Sequence, residues 1–120
     1  MRRGHKDLRV WQSAMLLVED VYRLTSTFPS DEKFGLTSQM RRAAVSVPSN
    51  IAEGSARSGT KELLYFLGVA TGSLAELDTQ LDLAFRLNYC PEITSIQSRL
   101  DEVSALTLAL MKSLKDKDNA

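Results

Sequence analysis

Apolar residues recur along the chain in alternating steps of four and three, which is the spacing of one face of an α-helix. Four segments show this pattern, and short polar connections separate them. No segment shows the strict alternation of a β-strand. The inward-facing positions predicted for the four helices are Val10, Ala14, Leu17, Val21, Leu24 and Phe28; Leu36, Met40, Ala43, Val47 and Ile51; Leu63, Leu67, Ala70, Leu74, Leu77, Leu81 and Ala84; and Ile93, Ile96, Leu100, Val103, Thr107, Leu110 and Leu114.

Residues that favour helix ends bound these segments. Asp7 is the expected N-cap of the first helix, and Pro29 is expected to end it. The second helix should begin near Phe34 and end between residues 54 and 57. Asn88 marks the end of the third helix, and Pro91 suits the first position of the fourth.

The connections PSDEK, SGT and NYCPE are short, so consecutive helices must lie antiparallel to one another. The sequence therefore predicts an all-α fold, an up-down-up-down antiparallel four-helix bundle. Residues 1–120 are expected to form one domain, with a flexible arm at 1–6 and a frayed tail at 116–120. A chain of this length can bury a core sufficient to hold it together.

Two helices carry residues that ordinary bundle helices lack. Pro48 lies inside the second helix, removes one backbone donor and predicts a kink there. Gly68 and Gly72 in the third helix form, with Ala70 and Ser73, a low patch that we interpret as a helix-packing surface.

A line of polar residues flanks the apolar stripe of the second helix; its first three members each lie one position before an inward-facing position, hence about 100° around the helix. Its members are Gln39, Arg42, Ser46, Ser49 and Glu53. One interpretation is a half-buried ladder of hydrogen bonds and ion pairs between helices or subunits, with Arg42 or Arg57 pairing with Glu53. The other is a polar platform for a ligand or RNA.

The charges balance overall, with fifteen basic and fifteen acidic residues. Residues 1–60 carry nine Lys/Arg against six Asp/Glu (9 − 6 = +3), and residues 61–120 carry six against nine (6 − 9 = −3). One half of the molecule can therefore present a basic surface although the net charge gives no signal for polyanion binding.

The single cysteine fits a reducing compartment, and no segment is apolar enough for a membrane span, so a cytoplasmic location is expected.

The sequence offers little for catalysis. His5 is the only histidine, and without a positioned imidazole Cys90 and the serines lack a base to activate them. No Glu-x-x-His pair or phosphate-binding glycine loop is present, so we expect no catalytic residue, metal, cofactor or small-molecule substrate.

Basic side chains are the better candidates for function. Arg41 and Arg42 point about 100° apart, and a guanidinium can bind either a carboxylate or a phosphate in bidentate fashion. Trp11 and Tyr22 lie beside the apolar stripe of the first helix, where they can stack on bases or pack. The candidate nucleic-acid-binding residues are Arg2, Arg3, Lys6, Arg41, Arg42, Arg57 and Lys61.

Several motifs in order resemble one family across about residues 7–115. They are Val10-Trp11-Gln12, Phe28-Pro29, Gly35-Leu36, the run from Gln39 to Ala44 and the run from Pro48 to Gly54. The chain resembles the bacterial four-helix-bundle family of 23S rRNA intervening-sequence proteins. The resemblance implies a left-handed bundle that assembles into a ring, a pentamer.

The resemblance also suggests kinship with the accessory variability protein of diversity-generating retroelements, a basic pentamer that binds nucleic acid and a reverse transcriptase. It implies no catalytic residues, and its matching motif positions Gln39, Arg41, Arg42, Asn50, Glu53 and Arg57 are candidate interaction residues. Asn50 thus joins Gln39, Arg42, Ser46 and Glu53 as a candidate of the polar seam. The leading hypothesis is a non-enzymatic, ring-forming protein that contacts RNA or a nucleoprotein. The alternative is an oligomeric scaffold that binds only proteins.

Overall fold

The computed structural model describes residues 4–118, which form four α-helices and two short 3₁₀ turns. The helices are α1 (Arg9–Thr25), α2 (Leu36–Ala56), α3 (Thr60–Arg86) and α4 (Thr94–Asp118), and the turns are Gly4–Asp7 and Ser30–Glu32. No strand occurs within this described range, so the predicted all-α fold is confirmed. None of the helices in it has the length and apolar character that a membrane crossing requires.

Each helix packs against two neighbours: α1 against α2 and α4, and α3 against α2 and α4. Side-chain contacts give the directions of the helices. Ser13 on α1 donates to Glu102 on α4, at 2.5 Å, whereas Asp20 further along α1 pairs with the earlier Arg99, at 3.1 Å. The order of these partners reverses between the two helices, so they are antiparallel, as the predicted bundle requires.

The core is formed by the predicted apolar stripes. Every position that the spacing placed inward is buried or half-buried in the structure. The largest fully buried side chains are Leu17, Met40, Ile51, Leu67, Leu77 and Leu81, which come from three of the four helices. Val103 and Thr107 of α4 complete the core, and the Thr107 hydroxyl donates to the Val103 carbonyl within its own helix.

The predicted helix ends are partly wrong. Asp7 is not an N-cap, because the chain passes through the extended residue Leu8 before α1 begins at Arg9. This helix ends at Thr25, four residues before Pro29. Pro91 does not start α4, which begins at Thr94, where the Glu92 carboxylate accepts from the Thr94 N–H at 2.6 Å. Asn88 does follow the end of α3, and its φ of 63° is the left-handed conformation common after helices.

The glycines that permit close helix packing are not the predicted ones. A Cβ added at Gly68 or Gly72 would meet no atom within 4 Å, and both residues are exposed, so they pack on no helix of their own chain, and a helix-packing role between subunits stays a prediction. Gly54 is buried instead, and a Cβ there would lie 2.9 Å from the Phe66 Cβ.

The helix α2 continues through Pro48 without interruption, and the kink predicted at this proline stays a prediction.

Replacing Gly54 by alanine should destabilise the protein, although alanine is usually the better helix residue. The added methyl forces α2 away from α3, and such overpacking costs about 1–3 kcal/mol. The matched control Gly68→Ala displaces nothing and should raise the free energy of unfolding by about 0.5–1 kcal/mol. Urea unfolding followed by circular dichroism measures both, and equal shifts would contradict the packing described.

Candidate nucleic-acid interface

An open pocket of about 630 Å³ lies where the first half of α2 faces the end of α1. We call it the basic pocket; it is lined by Tyr22, Lys33, Phe34, Thr37, Ser38, Arg41, Arg42, Val45 and Ser46. Three of these side chains are cationic, four carry hydroxyl groups and none is a carboxylate. Its chemistry is therefore that of an anion site with aromatic walls.

Arg41 is fixed in place at the wall of this pocket. Its Nε donates to the Thr25 hydroxyl at 2.8 Å, and its guanidinium carbon lies 4.5 Å from the centroid of the Tyr22 ring. Its Nη2 also donates to the Tyr22 carbonyl, at 3.4 Å. Because a guanidinium has five N–H groups, three remain for a ligand.

Arg42 is the more accessible of the two arginines. It is exposed, and among residues 4–118 no carboxylate lies within 4.0 Å of its guanidinium. It belongs to a ridge of α2 that also carries Ser38 and Ser46 and separates the basic pocket from a polar pocket of about 460 Å³. Arg41 is half-buried and Arg42 is exposed, so the two adjacent side chains lie in different environments, and the predicted place of Arg42 in the polar seam stays a prediction.

Phe34 lines both the basic pocket and the adjoining polar pocket, and it is 89% exposed. Lys33 extends over its ring, with Nζ 5.5 Å from the centroid, and the rest of the aromatic surface is open. The sequence had placed Phe34 at the start of the second helix. In the structure it precedes α2, which begins at Leu36, and so its side chain leaves the bundle.

A hydrogen-bonded carboxylate holds the backbone beside Phe34. Glu32 accepts from the Leu36 N–H at 3.0 Å and from the Tyr89 hydroxyl at 2.7 Å, and the Tyr89 ring packs on Phe28 with 5.4 Å between centroids. The bond from Leu36 and then the bond from Tyr89 lower the pKa of Glu32, and the hydrogen bond to Glu32 raises the pKa of Tyr89. Residues 33–35 are thereby anchored at both ends, while the carboxylate itself is not part of the pocket lining.

The remaining basic candidates form a second group with compensated charge. Arg57 pairs with Glu53 at 3.1 Å and with Glu62 at 4.0 Å, and its guanidinium lies 5.3 Å from the Phe66 ring centroid. Lys61 lines a smaller pocket of about 270 Å³ beside it. Arg41 and Arg57 are sixteen residues apart, which is about 24 Å along a helix, so the candidates occupy two sites.

Another predicted residue, Lys6, lines neither the basic pocket nor the pocket beside Arg57. Lys6 is exposed in the 3₁₀ turn before α1, where its carbonyl accepts from the Gln12 amide at 2.9 Å. Arg2 and Arg3 lie outside the described residues.

The polar line of α2 is part seam and part surface. The Ser46 and Ser73 hydroxyls are 2.8 Å apart across the junction of α2 and α3, and the Asn50 amide donates to the Ser46 carbonyl and hydroxyl at 2.8 and 2.9 Å. Gln39, Arg42 and Glu53 are exposed, and their contact with another subunit stays a prediction. The predicted pairing of Glu53 with Arg57 is present, although on the surface.

Sequence reasoning missed Lys33 and Phe34 as site residues. A signal for them was present: from Lys33 to Ala52 the chain contains three cations and no Asp or Glu. An uninterrupted run without acidic residues, folded as a loop and a helix, leaves nearby cations uncompensated. Clusters of three His, Cys, Asp or Glu side chains that could hold a metal are absent from the described part of the chain.

The hydrogen bond between Glu32 and Tyr89 predicts how the free energy of unfolding changes in acid. Because the folded-state pKa of Glu32 lies below its usual value of 4.5, its charged form stabilises the fold above about pH 4.5. That contribution is lost as the pH falls through the lowered pKa. In Glu32→Gln the free energy of unfolding should therefore be lower than in the wild type at pH 7, and the difference should shrink below pH 4.5. The control Glu19→Gln removes the same charge from an exposed site, and an equal effect there would contradict the assignment.

Comparison with known proteins gives one family match. The family model described as "23S rRNA-intervening sequence protein" matches residues 6–109. Curated proteins gave no match to the chain. The matched range begins in the 3₁₀ turn before α1 and ends within α4, so it includes the whole basic pocket.

Proposed function

Because the chain belongs to the 23S rRNA-intervening sequence protein family, we propose that it is a non-enzymatic helical-bundle protein that binds RNA through the basic pocket. The observation that carries the proposal is the charge of that pocket, where Lys33, Arg41 and Arg42 line one surface without a carboxylate. The family description names 23S rRNA and is consistent with an RNA-related role.

The zero net charge does not oppose this proposal, since binding depends on the local field. The two carboxylates that flank the run from Lys33 to Ala52 are engaged elsewhere: Glu32 binds Leu36 and Tyr89, and Glu53 binds Arg57. Lys33, Arg41 and Arg42 form no ion pair within 4.0 Å among residues 4–118, and such cations attract phosphate groups over a distance of about 8–10 Å at moderate ionic strength. Arginine adds directed, bidentate hydrogen bonds to that attraction.

Self-association is the second part of the proposal. An apolar groove between α1 and α2, lined among others by Trp11, Met15, Val18, Val45, Pro48 and Ala52, has a volume of about 340 Å³. Met15 and Val45 are each 40% exposed there. Apolar surface of this kind supports contact with a second copy of the chain, and the resemblance to the family favours a pentamer. Several basic pockets in one assembly would strengthen weak binding through multivalency.

The same groove also supports the alternative, a protein-binding oligomeric scaffold without a nucleic-acid role. In that case Arg41 and Arg42 would pair with carboxylates of a protein partner, which bind guanidinium groups as phosphates do. RNA binding distinguishes the two functions, because the scaffold requires none.

The assembly prediction concerns mass. Light scattering at micromolar concentration should give a multiple of the 13.3 kDa chain mass, with five copies expected. Met15→Lys should shift the mass towards the monomer, because a charge would enter the apolar groove. Leu108→Lys alters a side chain that is 56% exposed on α4 and should leave the mass unchanged. A monomeric wild type would refute self-association.

The RNA prediction concerns salt. The protein should bind a structured RNA with single-stranded loops at about 50 mM salt and lose most of that binding by about 200 mM, because each neutralised phosphate releases counterions. Arg42→Gln should weaken binding and lower the slope of log affinity against log salt by about one for each subunit engaged. Fluorescence anisotropy across a salt series measures both quantities.

Two variants control for charge in this experiment. Lys112→Gln removes an exposed cation from α4, outside the lining of the basic pocket, and should change little. Arg57→Gln should have a smaller effect than Arg42→Gln, because Glu53 and Glu62 already compensate Arg57. Absence of RNA binding at low salt by an intact assembly would reject the proposal in favour of the scaffold.

A further inference from the structure

We propose that the basic pocket takes one unpaired nucleotide of an RNA strand, with the base stacked on Phe34 and the adjoining phosphate held by Arg41 and Arg42. This inference rests on the proposed RNA binding and adds to it the form of RNA that is recognised. It follows from the placement of an aromatic ring and uncompensated guanidinium groups on the walls of one pocket.

The first argument is the exposure of Phe34. Among the exposed large apolar side chains of the described residues it stands out at 89%, followed by Tyr65 at 65% and Leu108 at 56%. Phe34 packs on no part of the core, and Lys33 covers its ring only at a distance of 5.5 Å. The backbone beside it is nevertheless held by the bonds of Glu32 to Leu36 and Tyr89. The ring is thus presented to solvent from an anchored segment.

The second argument is the position of the cations. Arg41 keeps three free N–H donors after its bonds to Thr25 and Tyr22, and Arg42 is unpaired within residues 4–118. Both line the pocket that Phe34 borders, so the base and the phosphate of one nucleotide can be contacted together. The volume of about 630 Å³ lies within the range of about 300–1,000 Å³ typical of small-ligand sites.

The third argument separates single strands from duplexes. In a duplex the bases are stacked on one another, and a side chain reaches only their edges and the sugar-phosphate backbone. A lone exposed phenylalanine gains nothing from such a surface, whereas an unpaired base offers its open face. The hydroxyls of Ser38 and Thr37 on the pocket wall are suited to a ribose hydroxyl.

The experiment compares a fluorescein-labelled short oligouridine with a blunt RNA duplex of equal length, using the full chain at about 50 mM salt, where phosphate contacts are strong. The wild type should bind the oligouridine more tightly than the duplex. Phe34→Ala should bind the single strand about 5- to 140-fold more weakly than the wild type, because base–aromatic stacking contributes about 1–3 kcal/mol. Its affinity for the duplex and its salt slope should stay unchanged, and Phe34→Trp should retain single-strand binding.

Tyr65→Ala is the matched control, because Tyr65 is also an exposed aromatic beside cations, in the pocket of Arg57 and Lys61. It should have no effect on the single strand, and circular dichroism checks that both variants remain helical. If RNA is bound but Phe34→Ala binds as the wild type does, or if the duplex binds equally well, the inference is overturned while the proposed function stands. If the wild type binds neither RNA, both are overturned.

Discussion

The packing of α2 between α1 and α3 is the constraint on which the rest of the structure depends. Ala43, Ala44 and Gly54 are buried on this helix, and their small size lets its backbone approach both neighbours. At Gly54 the Phe66 Cβ is so close that even one methyl group would collide with it. Because α2 is enclosed on these sides, only a narrow face of it reaches solvent, and that face carries the basic pocket.

The sequence predicted the fold well because a 3.6-residue period and short connections leave few arrangements for four apolar stripes. It predicted helix ends less well, since they depend on backbone angles that composition does not determine. Asp7 has the side chain of an N-cap, but the extended Leu8 separates it from α1. Pro91 could have begun α4, but the helix starts at Thr94, beside the Glu92 carboxylate.

The candidate site, too, could be predicted from the sequence only in part. The pair Arg41 and Arg42 was recognisable from sequence, because two adjacent guanidinium groups on one helix point in different directions and can each bind a phosphate or a carboxylate. The difference between Arg42 and Arg57 was only partly recognisable. Glu53 lies four residues before Arg57 and was an expected partner of either arginine, whereas Glu62 comes from the next helix and approaches Arg57 only after folding. The exposure of Phe34 was also hidden, because it depends on α2 starting two residues later than the apolar pattern indicated.

The bond between Arg41 and Thr25 has a consequence for conformational entropy. An exposed arginine loses much of its rotamer freedom when it binds a ligand, and that loss weakens the complex. Arg41 has already lost this freedom in the free protein, because Thr25 and the Tyr22 ring hold its guanidinium. Arg42 retains its freedom and can follow ligands of different shape. The pocket thus combines one preordered donor with one adaptable donor, an arrangement that favours a common chemical group in varied surroundings.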